Sequence, residues 1–124
     1  MKKLSTKWFK KWSKKANLSN QNMLDAIKNL ETGLSTADLG NYLYKVRIKR
    51  AHSGKSSGFR TIIVYKEKDR AIFLYGFGKN EKANIDKSEL RYFKKLGNDL
   101  LALTFDQLKQ SIELKILFDL EVEE

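Results

Sequence analysis

The sequence predicts an α+β fold in a single domain, residues 1–124, in which an N-terminal helical hairpin packs on a small twisted, mainly antiparallel sheet and is followed by C-terminal helices and a final strand. Three observations support this prediction. Apolar residues at helical spacing, preceded by good N-cap residues, flank the centre of the chain. The centre itself alternates with period two, as a half-buried strand does. A length of 124 residues suits one hydrophobic core and is too short for two.

Two helices are predicted near the start. The stretch from Thr6 to Lys15 is an amphipathic helix, and residues 2–5 add a short edge strand. A basic amphipathic helix can lie on a membrane or bind a partner, but we favour a helix that packs on the core with its lysines in water. The second helix begins after the N-cap Ser19 and ends before Gly33, a residue type that suits the position after a helix.

Three strands and two further helices follow. The strands are expected at Leu43–Lys49, Phe59–Val64 and Ala71–Phe77. Asp86 with Glu89, and Thr104 with Gln107, have the spacing of capping boxes and predict two helices. Alternation from Leu114 to Val122 predicts a final strand, which we expect to pair with the sheet or with the N-terminal segment.

Positive charge is concentrated in the central strands. The chain has a net charge of +10, and residues 42–82 hold eleven Lys and Arg residues against three acidic ones. This excess indicates a polyanion or an acidic partner, because a surface kept only for solubility would mix both signs more evenly.

Several classes of function are excluded or disfavoured. The chain has no cysteine and one histidine, so disulfides and zinc clusters are excluded and no metal or cofactor is expected. No apolar run is long enough to span a membrane and no signal peptide is present, so a cytoplasmic protein is expected. The run from Gly54 to Gly58 lacks the strand-to-helix context of a nucleotide-binding loop.

The residues that remain suit single-stranded RNA. Lys45, Arg47 and Lys49 alternate with apolar residues, and the loop that follows contains His52 and Lys55. Aromatic residues are interleaved with these cations and could stack on unpaired bases. They are Tyr44, Phe59, Tyr65, Tyr75 and Phe77, and for Phe59, Tyr65 and Phe77 a place in the core is the favoured interpretation.

RNA carries its own nucleophile, the 2′-hydroxyl, so an enzyme that cleaves it needs no metal ion. The protein has to align the attack, move two protons and stabilise the charge that develops on the phosphate. Clustered cations stabilise that charge, and their mutual repulsion can lower the pKa of a lysine.

Three stretches together resemble the RelE and HigB-like toxins of type II toxin–antitoxin systems, within the RelE/ParE superfamily. These stretches are residues 43–48, residues 54–60 and residues 75–85. The resemblance covers the chain from about Lys7 to the final strand. It implies a compact fold like that of microbial RNases, ribosome-dependent endonuclease activity on mRNA, and a tightly bound cognate antitoxin, usually a small DNA-binding protein.

The resemblance also implies roles for individual residues. Lys45 and Arg47 match the strand cations of these toxins, Arg60 matches the arginine that opens the next strand, and Gly78-Lys79 matches the final catalytic turn. The expected catalytic set is therefore Lys45, Arg47, Lys49, His52, Arg60 and Lys79, with Arg47 and Arg60 on the phosphate and the proton-transfer groups among the others. Further RNA contacts are expected from Lys55, Lys82, Tyr44 and Asn80.

This chain departs from the better-known members at the catalytic turn. They have an arginine where this chain has Asn80, and a tyrosine a few residues later where residues 83–85 contain none. Lys79, Lys82 or His52 are the candidates to replace the missing cation. Two alternatives remain open: a ParE-like toxin that inhibits DNA gyrase by binding it, and a basic RNA-binding module without catalysis.

Overall fold

The computed structural model describes residues 1–34, 36–49 and 58–122, which form six strands and four helices. Along the chain these are β1 (Lys2–Thr6), α1 (Lys7–Lys15), α2 (Asn20–Glu31), β2 (Thr36–Gly40), β3 (Leu43–Ile48), β4 (Phe59–Lys66), β5 (Arg70–Gly78), α3 (Lys87–Leu101), α4 (Phe105–Glu113) and β6 (Leu117–Asp119). The strands form one sheet in the order β2-β3-β4-β5-β1-β6. All pairings are antiparallel except β1 with β5, so the predicted α+β class is confirmed.

The predicted helix starts are confirmed in their capping geometry. Ser19 caps α2 and forms a capping box with Asn22. The Asp86 carboxylate accepts from the Glu89 backbone N–H at 2.8 Å, and the Glu89 side chain accepts from the Asp86 N–H at 2.9 Å. Thr104 and Gln107 make the same reciprocal pair at the start of α4. Each cap satisfies backbone donors that the first turn of a helix leaves unpaired.

Strand β2 was not predicted, because it mixes polar and apolar residues and its hairpin has tyrosine at the second loop position. Asn41 and Tyr42 form the two-residue loop to β3, and both have positive φ, 54° and 63°. A tight hairpin of this kind normally has glycine at the second position. With tyrosine at that position and polar residues in the strand, the sequence pattern does not indicate a hairpin here.

The predicted final strand is too long, and the predicted edge strand is not at an edge. Only Leu117–Asp119 is a strand, and it pairs antiparallel with β1 as expected for the N-terminal segment. Leu114 caps α4, and Ile116 follows a turn in which Lys115 has a φ of 58°; their side chains are 64% and 55% exposed. Strand β1 lies between β5 and β6, so both of its sides are paired.

Helices cover both faces of the sheet. On one face α1 and α2 bury the side chains of Phe9 and Ile27 against Phe59, Ile63 and Phe73. On the other face α3 and α4 cover a second cluster. Its buried members are Leu4, Leu43, Ile62, Val64, Ile72, Leu74, Phe93, Leu108 and Leu117. Full burial of each such side chain contributes about 1.5–3 kcal/mol, so these two layers hold the sheet together.

The cover on the second face is incomplete. Helix α3 approaches β4 closely at Gly97, where an added Cβ would lie 3.3 Å from Val64 Cγ2 and 3.8 Å from Leu43 Cδ1. Farther along the same face, Lys45, Arg47 and Arg60 line an open depression. One end of β3 and β4 therefore presents a partly uncovered face, which we call the open face.

Arg70 shows that the basic residues of the central strands do not share one surface. It is only 4% exposed, and its guanidinium donates to the Leu100 and Leu103 carbonyls at 2.9 and 2.6 Å and pairs with Asp69. These contacts tie the β4–β5 turn to the carboxyl end of α3. Arg70 is therefore a structural residue and is not part of a charged binding surface.

Gly76 leaves room for Trp12 of α1 to lie directly on β5. A Cβ added at Gly76 would overlap three carbons of the six-membered half of the Trp12 indole. Gly76 therefore permits close packing of α1 on the sheet.

We predict that Gly76→Ala lowers the free energy of unfolding by about 1–3 kcal/mol, the usual range for overpacking a core. In a Trp12→Phe background, where the smaller ring vacates that space, the same substitution should be less destabilising. Urea denaturation of the four proteins gives this coupling. An equal loss in both backgrounds would show that Trp12 is not the cause.

Candidate active site

Strand register brings the predicted cations together on the open face. Arg47 of β3 lies opposite Arg60 of β4, which in turn lies opposite Phe77 of β5. Paired residues of neighbouring strands project from the same face, so the two guanidinium groups and the Phe77 ring are neighbours. Lys45, two residues before Arg47 on β3, projects from the same face and lies opposite Ile62. The residues around a depression of about 270 Å³ on this face are Thr36, Ala37, Lys45, Arg47 and Arg60.

Arg60 has an unusual environment for a charged group. Its side chain is half-buried, and its Nη1 atom is fully buried with no hydrogen-bond partner among the residues that the structure describes. Burial lowers the pKa of Arg60 below its usual value, and repulsion from Arg47 lowers it further. An arginine keeps its charge even so, and like charges directly opposite each other on a sheet destabilise it. This pair is therefore a candidate anion-binding site.

The alternative role for Arg60, an ion pair with Glu67, Asp69 or Glu81, is not seen in the described part of the chain. Asp69 pairs with Arg70 at the other end of the sheet. Glu81 is exposed, in the turn after β5. Arg60 thus differs from Arg70, whose charge is compensated within the fold.

The turn after β5 is tied to the start of β4. The Lys79 backbone N–H donates to the Gly58 carbonyl at 3.0 Å, and the Glu81 and Lys82 N–H groups donate to the Gly78 carbonyl at 3.0 and 3.2 Å. These bonds hold Lys79 beside the strand end from which Arg60 projects. The side chains of Lys79 and Asn80 are exposed.

Lys82 is held by contacts on several sides. Its Nζ forms an ion pair with Glu89 and approaches the Tyr75 hydroxyl at 3.3 Å, with the Tyr75 ring centroid at 5.3 Å and the Phe77 ring centroid at 5.9 Å. The hydrogen bond to Glu89 is the main cause of a raised pKa for Lys82. Lys82 is therefore a permanently charged, largely compensated group, unsuited to accept a proton at neutral pH.

The other predicted residues fall in different places. Lys45 Nζ donates to Asn84 Oδ1 at 3.3 Å, a contact that no sequence signal indicated. Lys49 lies just after β3 and lines a second depression of about 430 Å³ beside α2, together with Asn22, Asp25, Ala26, Asn29, Leu34, Arg47 and Ile48. Tyr44 projects from the opposite face, where its ring packs edge-on against Tyr65, so the structure does not bring it to the cations. His52 and Lys55 lie outside the described residues.

The three aromatic residues assigned to the core all pack within the fold, although to different depths. Phe59 and Phe77 are almost fully buried, and Tyr65 is half-buried against the core. Tyr75 is half-buried on the same side as Phe77, and the two ring centroids are 6.0 Å apart. The cations of the open face, Lys45, Arg47 and Arg60, therefore lie beside a largely buried aromatic cluster.

This arrangement can bind a phosphate group. Two arginines offer planar sets of donors to phosphate oxygens, and Lys45 adds a primary amine to the same depression. No group of three or more His, Cys, Asp or Glu residues in the described ranges could hold a metal ion. Within those ranges, too, no helix is long and apolar enough to cross a membrane.

The structure is thus a small basic α+β protein with a cationic depression on one face of its sheet. A family model described as "RelE toxin of RelE / RelB toxin-antitoxin system" matches residues 1–120, and the chain belongs to this family. It is accordingly a toxin of a toxin–antitoxin system, and family membership implies an antitoxin partner. No curated protein matches the sequence.

We predict that Glu89→Gln lowers the pKa of Lys82, because the contact with the Glu89 carboxylate is the largest cause of its elevation. The amide oxygen of glutamine can still accept from the Asp86 N–H, so the capping box of α3 remains. An NMR titration of the Lys82 side chain in both proteins measures the change. An unaltered titration of Lys82 in the variant would show that the ion pair does not form in solution.

Proposed function

We propose that this toxin is a ribosome-dependent mRNA endoribonuclease that inhibits translation and is neutralised by its cognate antitoxin. The observation that carries the proposal is the half-buried guanidinium of Arg60, which faces Arg47 and has an unbonded Nη1. A fold that needed this cation only for stability would compensate its charge, as it does for Arg70.

The proposed reaction needs no cofactor. The 2′-hydroxyl of a ribose attacks the adjacent phosphorus, its proton passes to a base, and the bond from phosphorus to the 5′-oxygen breaks. A general acid donates a proton to that leaving oxygen, and the products are a 2′,3′-cyclic phosphate and a 5′-hydroxyl end. Arg60 and Arg47 bind the non-bridging oxygens, whose negative charge increases in the transition state.

Proton transfer is assigned to lysines at the margin of the phosphate site. Lys45 lines it from β3, Lys79 lies in the turn after β5 that is bonded to Gly58, and Lys49 lies just after β3. Lys82 is not assigned proton transfer, since its ion pair with Glu89 keeps it charged, and its RNA contact stays a prediction from the sequence. His52 and Lys55 stay predictions from the sequence.

Dependence on the ribosome agrees with the shape of the site. An open depression of about 270 Å³ accommodates a phosphate group but does not enclose a nucleotide on each side of the cleaved bond. The protein alone therefore does little to align the 2′-hydroxyl with the leaving oxygen. A messenger held in the decoding site of the ribosome would arrive with its conformation already restricted, which can account for a large part of the rate.

The antitoxin is proposed to carry an acidic or amphipathic segment that covers the open face. Complementary charge mainly raises the association rate, and salt screens it. Of the two other functions considered from the sequence, gyrase inhibition gives no reason for the uncompensated, half-buried Arg60 opposite Arg47, whereas RNA binding without catalysis would use the same cations. Cleavage of a reporter mRNA in the presence of ribosomes, with mapping of the new 5′ ends, separates the proposed function from both.

We predict that Arg60→Ala reduces ribosome-dependent mRNA cleavage by about a hundredfold or more, the range found for loss of one transition-state donor. Arg60→Lys should recover only part of the activity, because an ammonium group cannot reproduce a planar, bidentate grip. Removing a buried charge that faces Arg47 should leave the melting temperature unchanged or slightly raised.

The matched control is Lys66→Ala, which removes an exposed cation at the far end of the same strand. It should cleave like the wild type, so any effect of net charge alone is accounted for. Full cleavage by Arg60→Ala, or a large fall in its melting temperature, would contradict the assignment of Arg60 to the phosphate.

A further inference from the structure

Helix α1 exposes an indole ring at the edge of the sheet. Phe9 of this helix is fully buried and Trp12 is half-buried over Gly76, but Trp8 is 49% exposed and is the only large apolar side chain of α1 that is exposed. The prediction that α1 packs on the core therefore holds for Phe9 and Trp12 and not for Trp8. A half-exposed tryptophan that the core does not require is a candidate binding group.

Neighbouring rings hold Trp8 in place. Its centroid lies 4.8 Å from that of Tyr75 and 6.4 Å from that of Trp12, whose plane is inclined by only 9° to its own. A ring supported in this way is preorganised, so little conformational entropy is lost when a planar ligand stacks on its free face.

An aromatic path connects Trp8 with the candidate active site. The path runs from Trp8 to Tyr75 and from Tyr75 to Phe77, with centroids 4.8 and 6.0 Å apart, and Phe77 lies directly opposite Arg60. Only Trp8 of these three rings is exposed, since Tyr75 is half-buried and Phe77 almost fully buried. Pairing of β1 with β5 ends at Phe73, so the first turn of α1 takes the place of a strand beside Tyr75.

The surroundings of Trp8 are cationic. Lys7, Lys11 and Lys15 of α1 are exposed, and Lys11 and Lys15 follow Trp8 at three and seven residues, on the same side of the helix. The chain has no acidic residue before Asp25. A single ring among lysines suits a strand of nucleic acid, with bases that stack and phosphates that pair with ammonium groups. A membrane or an apolar protein segment would require a wider apolar surface.

We propose that the surface formed by Trp8, Lys7, Lys11 and Lys15 binds single-stranded RNA, with one base stacked on Trp8. It rests on the proposed function in one respect, namely that this RNA is the continuation of the strand whose phosphate Arg60 holds. The surface would add affinity outside the reacting nucleotides without taking part in the chemistry.

The probe is a twelve-nucleotide oligoadenylate with 2′-O-methyl riboses, which cannot be cleaved, compared with its trinucleotide. Both are titrated against the full chain by fluorescence anisotropy at fixed salt. Trp8→Leu keeps an apolar side chain but removes the flat ring, and should weaken binding of the twelve-mer roughly tenfold, within the range for loss of one stacked base. Trp8→Phe should bind the twelve-mer with most of the wild-type affinity, because it keeps an aromatic ring. Both variants should bind the trinucleotide like the wild type.

Phe105→Leu is the matched control, because Phe105 is 53% exposed beside Met1 and Lys68 at the other end of the sheet. It should bind both oligonucleotides normally. Unchanged twelve-mer affinity in Trp8→Leu, or equal losses in Trp8→Phe and Trp8→Leu, would overturn the proposal. So would a Trp8→Leu variant that binds RNA normally but forms a weaker complex with the antitoxin, which would identify a protein interface instead.

The same comparison in an Arg60→Ala background separates this inference from the proposed function. The Trp8→Leu effect on the twelve-mer should persist there, although the affinity of both proteins is lower. If Trp8→Leu no longer weakened twelve-mer binding in that background, the two surfaces would not bind RNA independently, and the proposal would be overturned. If the wild type failed to cleave mRNA on ribosomes while the Trp8 effect held, the proposed function would fall and the RNA-binding surface would stand.

Discussion

The structure depends on burying the middle of β4 on both faces at once. Thr61, Ile62, Ile63 and Val64 are completely buried, because α1 and α2 close one side and α3 closes the other. Arg60, the next residue back, lies where the cover of α3 ends. Its guanidinium is therefore partly desolvated by the same apolar layers that stabilise the sheet. Desolvating this cation costs free energy. Burial of the apolar side chains around it offsets that cost, although the cation itself does not stabilise the core.

Two arginines at opposite ends of the sheet show how surroundings decide the use of a charge. Arg70 is satisfied by Asp69 and by two carbonyls at the carboxyl end of α3, a position that favours cations. Arg60 faces Arg47 and has a buried nitrogen without a partner in the described ranges. One arginine joins elements of the fold, and the other is available to a ligand. From the charge of the central strands alone, both arginines were assigned to the same basic surface.

Sequence patterns predicted the parts of this fold that short-range chemistry determines. Capping at Ser19, Asp86 and Thr104 depends on residues three apart, and alternation in β3 separates Lys45 from Tyr44 without knowledge of the partners. Features that depend on distant contacts were missed. Leu114 continues an alternating pattern but caps a helix, and the strand β2 is concealed by a hairpin turn without glycine. The catalytic roles that the resemblance implies for single residues remain predictions.

The position of β1 affects when the sheet can form during synthesis of the chain. Residues 2–5 are synthesised before their parallel partner β5, so Lys2 cannot pair until Arg70 has been made. On its other side β1 pairs with β6, which is synthesised later still. A growing polypeptide therefore cannot complete this sheet until β6 has left the ribosome, and the long loops between the partners make their pairing slow. An unfinished toxin has an open β5 edge and lacks a properly assembled sheet.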